Sequence, residues 1–423
     1  MVKLLLIAVV VGALAAAAAS IFNELIAVGQ HFLFTDLPAH YGLNQAPWWW
    51  VAILLLVGAT LIVLARRLPG ETGKGPLTGF HFDDPLSMVP SVLLAALATL
   101  IFGFALGPEA PLIVLGTAVG AILMRKADPK ARAAVMLLGG AAAIGAILGN
   151  PFVTGFMLLE FAAIGVLPSM LIVPVFVALA TGYLVQLGIA GLPGFGTHSL
   201  AVPGLPAYTS VAPGDVLIGL LVAVGAGLVA VIVREIAVNF DKRAQKKAVL
   251  AIYATAVVTA VVVFITQVFF DIPVNQILFS GNSGMGELVK QTSIVVVLVT
   301  LAGKGVAYAM ALGGGMRGGP IFPATFLGVC VGVIGALIFP FVPLSPLVAA
   351  GIAASAAGVL RLPATSALLG AMLVSGTGAA IAPFAIFGAV IGLIIRMVID
   401  KKLGNPLPPG PDGRQQDPNV LPA

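Results

Sequence analysis

One carboxylate in this chain stands where few are tolerated. Glu109 lies in Gly107-Pro108-Glu109-Ala110-Pro111, with apolar runs on both sides. A Gly-Pro step that opens an apolar run reads as a helix start, because proline suits the first helical turn. The first peptide N–H groups of a helix have no acceptor within it. They carry partial positive charge and favour an anion. Glu109 therefore has two readings. It stabilises its own helix, or its carboxylate occupies the place of a permeating anion. In the second reading the ionised group blocks the path, and a protonated or displaced one opens it. An ionisable residue at membrane depth is a functional candidate.

The motif returns as Gly319-Pro320-Ile321-Phe322-Pro323, at an offset of 212 residues. The same offset carries Gly103 onto Gly315, Gly116 onto Gly328, Gly120 onto Gly332, Gly139 onto Gly351 and Pro151 onto Pro363. Two halves of one membrane fold, of inverted topology, explain this pattern. Pseudo-symmetry would bring the two helix starts together at mid-membrane. Gly107, Pro108 and Ala110 would face Gly319, Ile321 and Phe322 around an anion, with no full cationic side chain. Such a site repays dehydration yet stays weak enough to release its ion.

The elements that must position these loops are apolar. Of 423 residues, 60% are hydrophobic and 9% are charged, against about 25% charged in a soluble domain. A cytoplasmic enzyme, a nucleic-acid binder and a disulfide scaffold are excluded, the last because Cys330 is the single cysteine. The net charge of +5 resides in short clusters at Arg66-Arg67, Arg125–Arg132, Lys242–Lys247 and Lys401-Lys402. The loops 28–47, 191–215 and 271–289 hold no lysine or arginine. The clusters are cytoplasmic by the positive-inside rule, and these loops external. Glycine (51) and proline (30) are abundant, as broken helices lining a cavity require. Fourteen apolar segments follow, several shorter than the ~20 residues a crossing needs. Residues 1–22 resemble a signal peptide, but the apolar run continues to Ile26, which favours a retained first helix. The expected organisation is a transmembrane domain over 1–400, its halves about 1–190 and 213–400. A disordered cytoplasmic tail over 401–423 follows. The setting is a bacterial inner membrane, spanned many times.

Gly-Pro-Glu-Ala-Pro resembles the Gly-x-Glu-x-Pro gating motif of the CLC family of chloride channels and chloride/proton antiporters. Gly319–Pro323 resembles that family's second anion loop, Gly-x-Phe-x-Pro, with Phe322 one place late. Asn150-Pro151-Phe152 and the 361–373 stretch also look like family segments. The similarity spans roughly residues 4–400. It implies an all-α, inverted-repeat fold of tilted and partial helices, a homodimer with one pore per subunit, and chloride passage gated by Glu109. It implies no cofactor.

The departures are specific. The family's first anion loop, Gly-Ser-Gly-x-Pro, is matched only by Gly73-Lys74-Gly75-Pro76. Lys74 there would bind the anion, pair with Glu71 or Glu109, or lie at the cytoplasmic surface. Pro320 cannot donate a backbone N–H, which leaves Ile321 and Phe322 as donors. The family's pore tyrosine is expected near 400–406, where DKKLGNP stands, and no tyrosine follows Tyr308. Glu160 is the candidate internal proton relay, one or two places early, or a structural acid. These departures leave a channel or a loosely coupled anion/proton exchanger open, with a fluoride exporter as the runner-up. An enzyme using Glu109 as general base lacks a second convergent group. His81, Asp83 and Asp84 are too few ligands for a metal. Trp48–Trp50 read as an interfacial belt, and Arg317 and Arg361 as vestibule cations or helix anchors.

Overall fold

The computed structural model describes residues 2–163, 168–192 and 200–405. Fourteen helices of eleven residues or more organise these residues, and they divide into two sevens. The first set is α1 (Val2–His31), α2 (Trp48–Ala65), α3 (Val89–Ile101), α4 (Glu109–Leu123), α5 (Pro129–Ile147), α6 (Pro151–Ala163) and α7 (Ile172–Ala190). The second is α8 (Pro213–Ala244), α9 (Ala248–Phe270), α10 (Ile294–Gly313), α11 (Ile321–Ile338), α12 (Leu344–Leu360), α13 (Pro363–Leu373) and α14 (Ala382–Leu403). The 212-residue offset carries the bounds of α1, α4, α5, α6 and α7 onto those of α8, α11, α12, α13 and α14 to within three residues.

Packing repeats with the sequence. The α1 helix packs on α5 and α7, and α8 packs on α12 and α14; α4 lies along α5 as α11 lies along α12. The repeated glycines sit at these crossings. A Cβ on Gly116 would fall 2.2 Å from the carbonyl oxygen of Gly139, and one on Gly328 would fall 2.3 Å from that of Gly351. Backbone meets backbone at both places, which only glycine permits. Small residues allow such close approach in membrane helix pairs. Gly103 and Gly315 both adopt positive φ, +99° and +89°, just ahead of the two repeated motifs.

Among the described residues, nine helices are long and apolar enough to cross a membrane. The α3, α4, α6, α12 and α13 helices are shorter. Partial helices at this depth must be enclosed by protein, and α12 is buried along almost its whole length. The segment taken as the start of an external loop differs. The α1 helix passes through a π-helical turn, Phe32–Asp36, into Leu37–His40. His31 and His40 are therefore helical, and His31 Nδ1 pairs with Asp36 at 3.1 Å. The α8 helix runs on to Ala244 and carries Lys242 and Arg243 in its last turn, where cations offset the helix dipole. Lys401 and Lys402, assigned to the tail, belong to the last turn of α14. The tail beyond 405 lies outside the described residues.

Candidate functional site

The α4 and α11 helices begin against each other. Pro108 caps the first and Pro320 the second, with φ −84° and −91°. Just before the two prolines, Gly107 N–H donates to Gly319 O at 2.8 Å and Gly319 N–H donates to Gly107 O at 2.5 Å. This reciprocal antiparallel bridge joins the two halves at one point. Gly107 and Gly319 were expected as anion ligands. Their N–H groups are instead committed to each other. Helix geometry leaves donors at Glu109 and Ala110 of α4 and at Ile321 and Phe322 of α11, since Pro111 and Pro323 have none.

Glu109 is fully buried. Its Oε1 accepts the Phe322 N–H at 3.0 Å, so a carboxylate from one half sits on the helix start of the other. Its Oε2 is buried with no hydrogen-bond partner. The slot around the carboxylate is shaped by absent side chains. A Cβ on Gly319 would lie 1.8 Å from Oε2, and one on Gly107 would lie 2.2 Å from it.

Two cavities flank this carboxylate. The outer one, about 850 Å³, reaches Leu106, Pro108 and Phe322 and is walled by Gln30, Asn275 and Ser280. The loops 28–47 and 271–289, free of lysine and arginine, contribute to it. The inner one, about 40 Å³, touches Ala110, Gly318, Lys74, Gly75, His81 and Arg317. That volume holds a small ion or one or two waters. Pro108 borders one cavity and Ala110 the other, with Glu109 between them.

The family described as Voltage gated chloride channel matches residues 71–397. This chain belongs to the CLC family. Among curated relatives, it is 28% identical over 391 residues to YfeO of Escherichia coli strain SMS-3-5, a protein provisionally named for ion transport, and covers 89% of each chain. YfeO of a Salmonella schwarzengrund strain is 28% identical over 323 residues, covering 74% of this chain and 75% of its own. The structure of a slow cyanobacterial Cl⁻/H⁺ antiporter superposes with a TM-score of 0.76 at 15% identity, covering 94% of this chain and 95% of the other. A CLC-type fluoride/proton antiporter superposes at 0.74 with 18% identity, covering 93% and 95%. The CLC fold and a multi-pass place in membrane ion transport follow.

Lys74 pairs with neither Glu71 nor Glu109. Its Nζ lies 3.2 Å from His81 Nδ1 and 3.7 Å from Asp83, while Arg66 takes Glu71 at 3.5 Å. Burial first, and Lys74 second, hold the His81 imidazole below its usual range, and burial raises the Asp84 carboxyl. Gly73 gives its N–H to Gly70 O at 2.8 Å, and its carbonyl accepts from Arg317 Nη2 at 3.0 Å. Arg317 also bonds the carbonyls of Thr72, Gly315 and Met316. It both lines the inner cavity and ties the 72–73 loop to the second half. Arg361 anchors a helix end, pairing with Asp400 of α14.

No tyrosine stands at 400–406; residues 400–405 finish α14 and its cap. Tyr308 reaches the site from α10 instead, its hydroxyl donating to Pro320 O at 2.8 Å. A buried tyrosine needs such a partner, and that need was the one sign of it in the sequence. Lys304, one turn earlier on the same helix, is a lone cation in an apolar run.

Glu160 caps the start of α13 across the halves. Its carboxylate accepts from Ala364 N–H at 2.7 Å, Thr365 N–H at 2.8 Å and Thr365 Oγ1 at 2.5 Å. Losing a cap costs about 1–2 kcal/mol. Glu160→Ala should lower thermal stability by that amount in detergent. Glu160→Gln, which keeps an acceptor, should lose less than half as much.

Proposed function

We propose that this CLC protein moves small monovalent anions, chloride by default, across a bacterial inner membrane, gated by Glu109. The observation that carries the proposal is the Glu109 carboxylate resting on the Phe322 N–H, between two cavities and at the meeting of two helix starts. An ionised carboxylate there competes with a halide for the same positive helix ends. Protonation or rotation of the side chain vacates the position. Ala110 and Ile321 complete the donor set. Lys74 stands at the inner entrance, where it draws an anion toward the path without touching Glu109. Glu160 serves in this reading as a helix cap, and coupling to protons is loose.

A homodimer is part of the proposal. The apolar side chains Phe152, Phe156, Leu184, Leu187 and Phe387 of α6, α7 and α14 are exposed on one subunit, a set that lipid or a second copy would cover. Fluoride export is the second reading, favoured by the likeness in fold to a CLC-type fluoride/proton antiporter.

The deciding experiment is efflux from reconstituted liposomes loaded in turn with chloride, fluoride, nitrate or sulfate, with external pH recorded. Chloride and nitrate efflux with little proton movement is the expected result. Fluoride efflux alone would select the second reading, and no efflux of any anion would end both. Glu160→Gln should leave proton movement per anion unchanged. Its loss would make Glu160 a relay.

A further inference from the structure

Lys304 is fully buried in the middle of α10. Its Nζ donates to Leu278 O at 2.7 Å and to Phe279 O at 2.8 Å, and it stands 5.1 Å from the centre of the Phe326 ring. Among the described residues, no carboxylate lies within ion-pair distance of it. Two carbonyls accept from the amine and a ring face stands nearby, surroundings that suit the ammonium form. Charged groups at this depth are costly and are retained where they act on an ion path.

The surroundings place that charge behind the wall of the outer cavity. Phe279 and Ser280, which line the cavity, are held by the lysine through the Phe279 carbonyl. Phe279 takes a positive φ of +58°, and Gly281 one of +90° where a Cβ would meet the Phe326 ring at 2.7 Å. On α10 the lysine lies one turn from Tyr308, whose hydroxyl holds Pro320. On α11, Phe326 lies one turn from Phe322, which donates to Glu109. Lys304 therefore stands behind the wall of the outer cavity, separated from the anion position by backbone and a ring.

We propose that Lys304 is a specificity-determining residue: a fixed, walled-off positive charge that raises the anion affinity of the outer cavity without serving as a ligand. A cation in direct contact would trap the ion. One held behind the wall, at a separation on the order of 11 Å, changes affinity roughly tenfold at an effective dielectric of about 20. That strength favours anions and still permits release. The inference rests on the proposed anion path and adds the source of its field.

The test is calorimetric titration of the purified full chain with chloride and, separately, fluoride, in a Glu109→Gln background that frees the position. Lys304→Met removes charge and donors. Lys304→Gln removes charge and keeps donors for the carbonyls. Lys304→Arg keeps charge. The expected result is a roughly tenfold weaker Kd in both neutral variants and a change within twofold in the arginine variant. Unchanged affinity in Lys304→Gln overturns the proposal. So does an equal loss in all three variants, which marks a packing role. If the Glu109→Gln parent binds neither halide, the anion path itself falls and this inference falls with it. Binding by the parent with no effect of the neutral variants removes only the role of Lys304.

Discussion

Glu109→Gln should raise chloride efflux from liposomes about tenfold at pH 7 and flatten its dependence on pH between about 5 and 8. In the proposed gate, the closed pose is the one in which the Phe322 N–H donates to the Glu109 carboxylate, a charge-assisted bond when the acid is ionised. Bonds to an ionised acceptor contribute about 1.5–3 kcal/mol, neutral ones about 1. An amide forfeits roughly 1–2 kcal/mol of the closed pose, which is five- to thirtyfold in the population that leaves the path. Its NH2 group would also occupy the slot where Oε2 has no partner and where the glycine Cα atoms offer no acceptor. The pH response goes with the carboxyl, because the amide does not titrate. Efflux recorded at pH 5, 6, 7 and 8 checks both points, and equal flux in the parent and the variant at every pH would rule out the gate.

The second large effect is structural. Gly328→Ala and Gly116→Ala should each destabilise the protein by about 3 kcal/mol, at the upper end for overpacking. The new methyl would sit 2.3 Å and 2.2 Å from a backbone carbonyl oxygen of the neighbouring helix. A backbone atom cannot swing aside as a side chain can. The α4–α5 and α11–α12 pairs must then part, and with them the two helix starts they carry. Gly214→Ala, in the first turn of α8 with nothing within 4 Å of the added carbon, should be neutral or slightly stabilising. Thermal unfolding in detergent distinguishes these outcomes. Equal midpoints for Gly328→Ala and Gly214→Ala would contradict the packing account.

Much of this fold was legible because glycine and proline carry backbone meaning on their own. The 212-residue offset, visible in a handful of such residues, relates whole helices and both close crossings. The Gly-Pro starts are helix starts. Glu109 could be singled out because a lone carboxylate in an apolar run has few explanations. Polar partners across the halves were not legible. Glu160 finds Ala364 and Thr365 about two hundred residues away, Arg317 finds the carbonyls of Thr72 and Gly73, and Tyr308 finds Pro320. No local pattern encodes such a meeting. Lys74 shows the same limit at short range. The turn over 75–79 brings His81 to it, an approach that charge pairing with Glu71 would not suggest. The repeated motif and its pseudo-symmetry put Gly107 and Gly319 at the anion. Only the approach of the two halves reveals that each consumes the other's N–H.

That reciprocal bond has a consequence for ancestry. Position 107 and position 319 are the same position in the two repeats, so the contact is between a residue and its own counterpart. Such a self-contact exists only on a twofold axis, and it forms equally well between separate identical chains. A half-length progenitor, inserted into the bilayer in both orientations, would already have possessed the junction before gene fusion made it permanent. Once fused, the two copies were free to differ, and this chain carries Glu109 in one and Ile321 in the other.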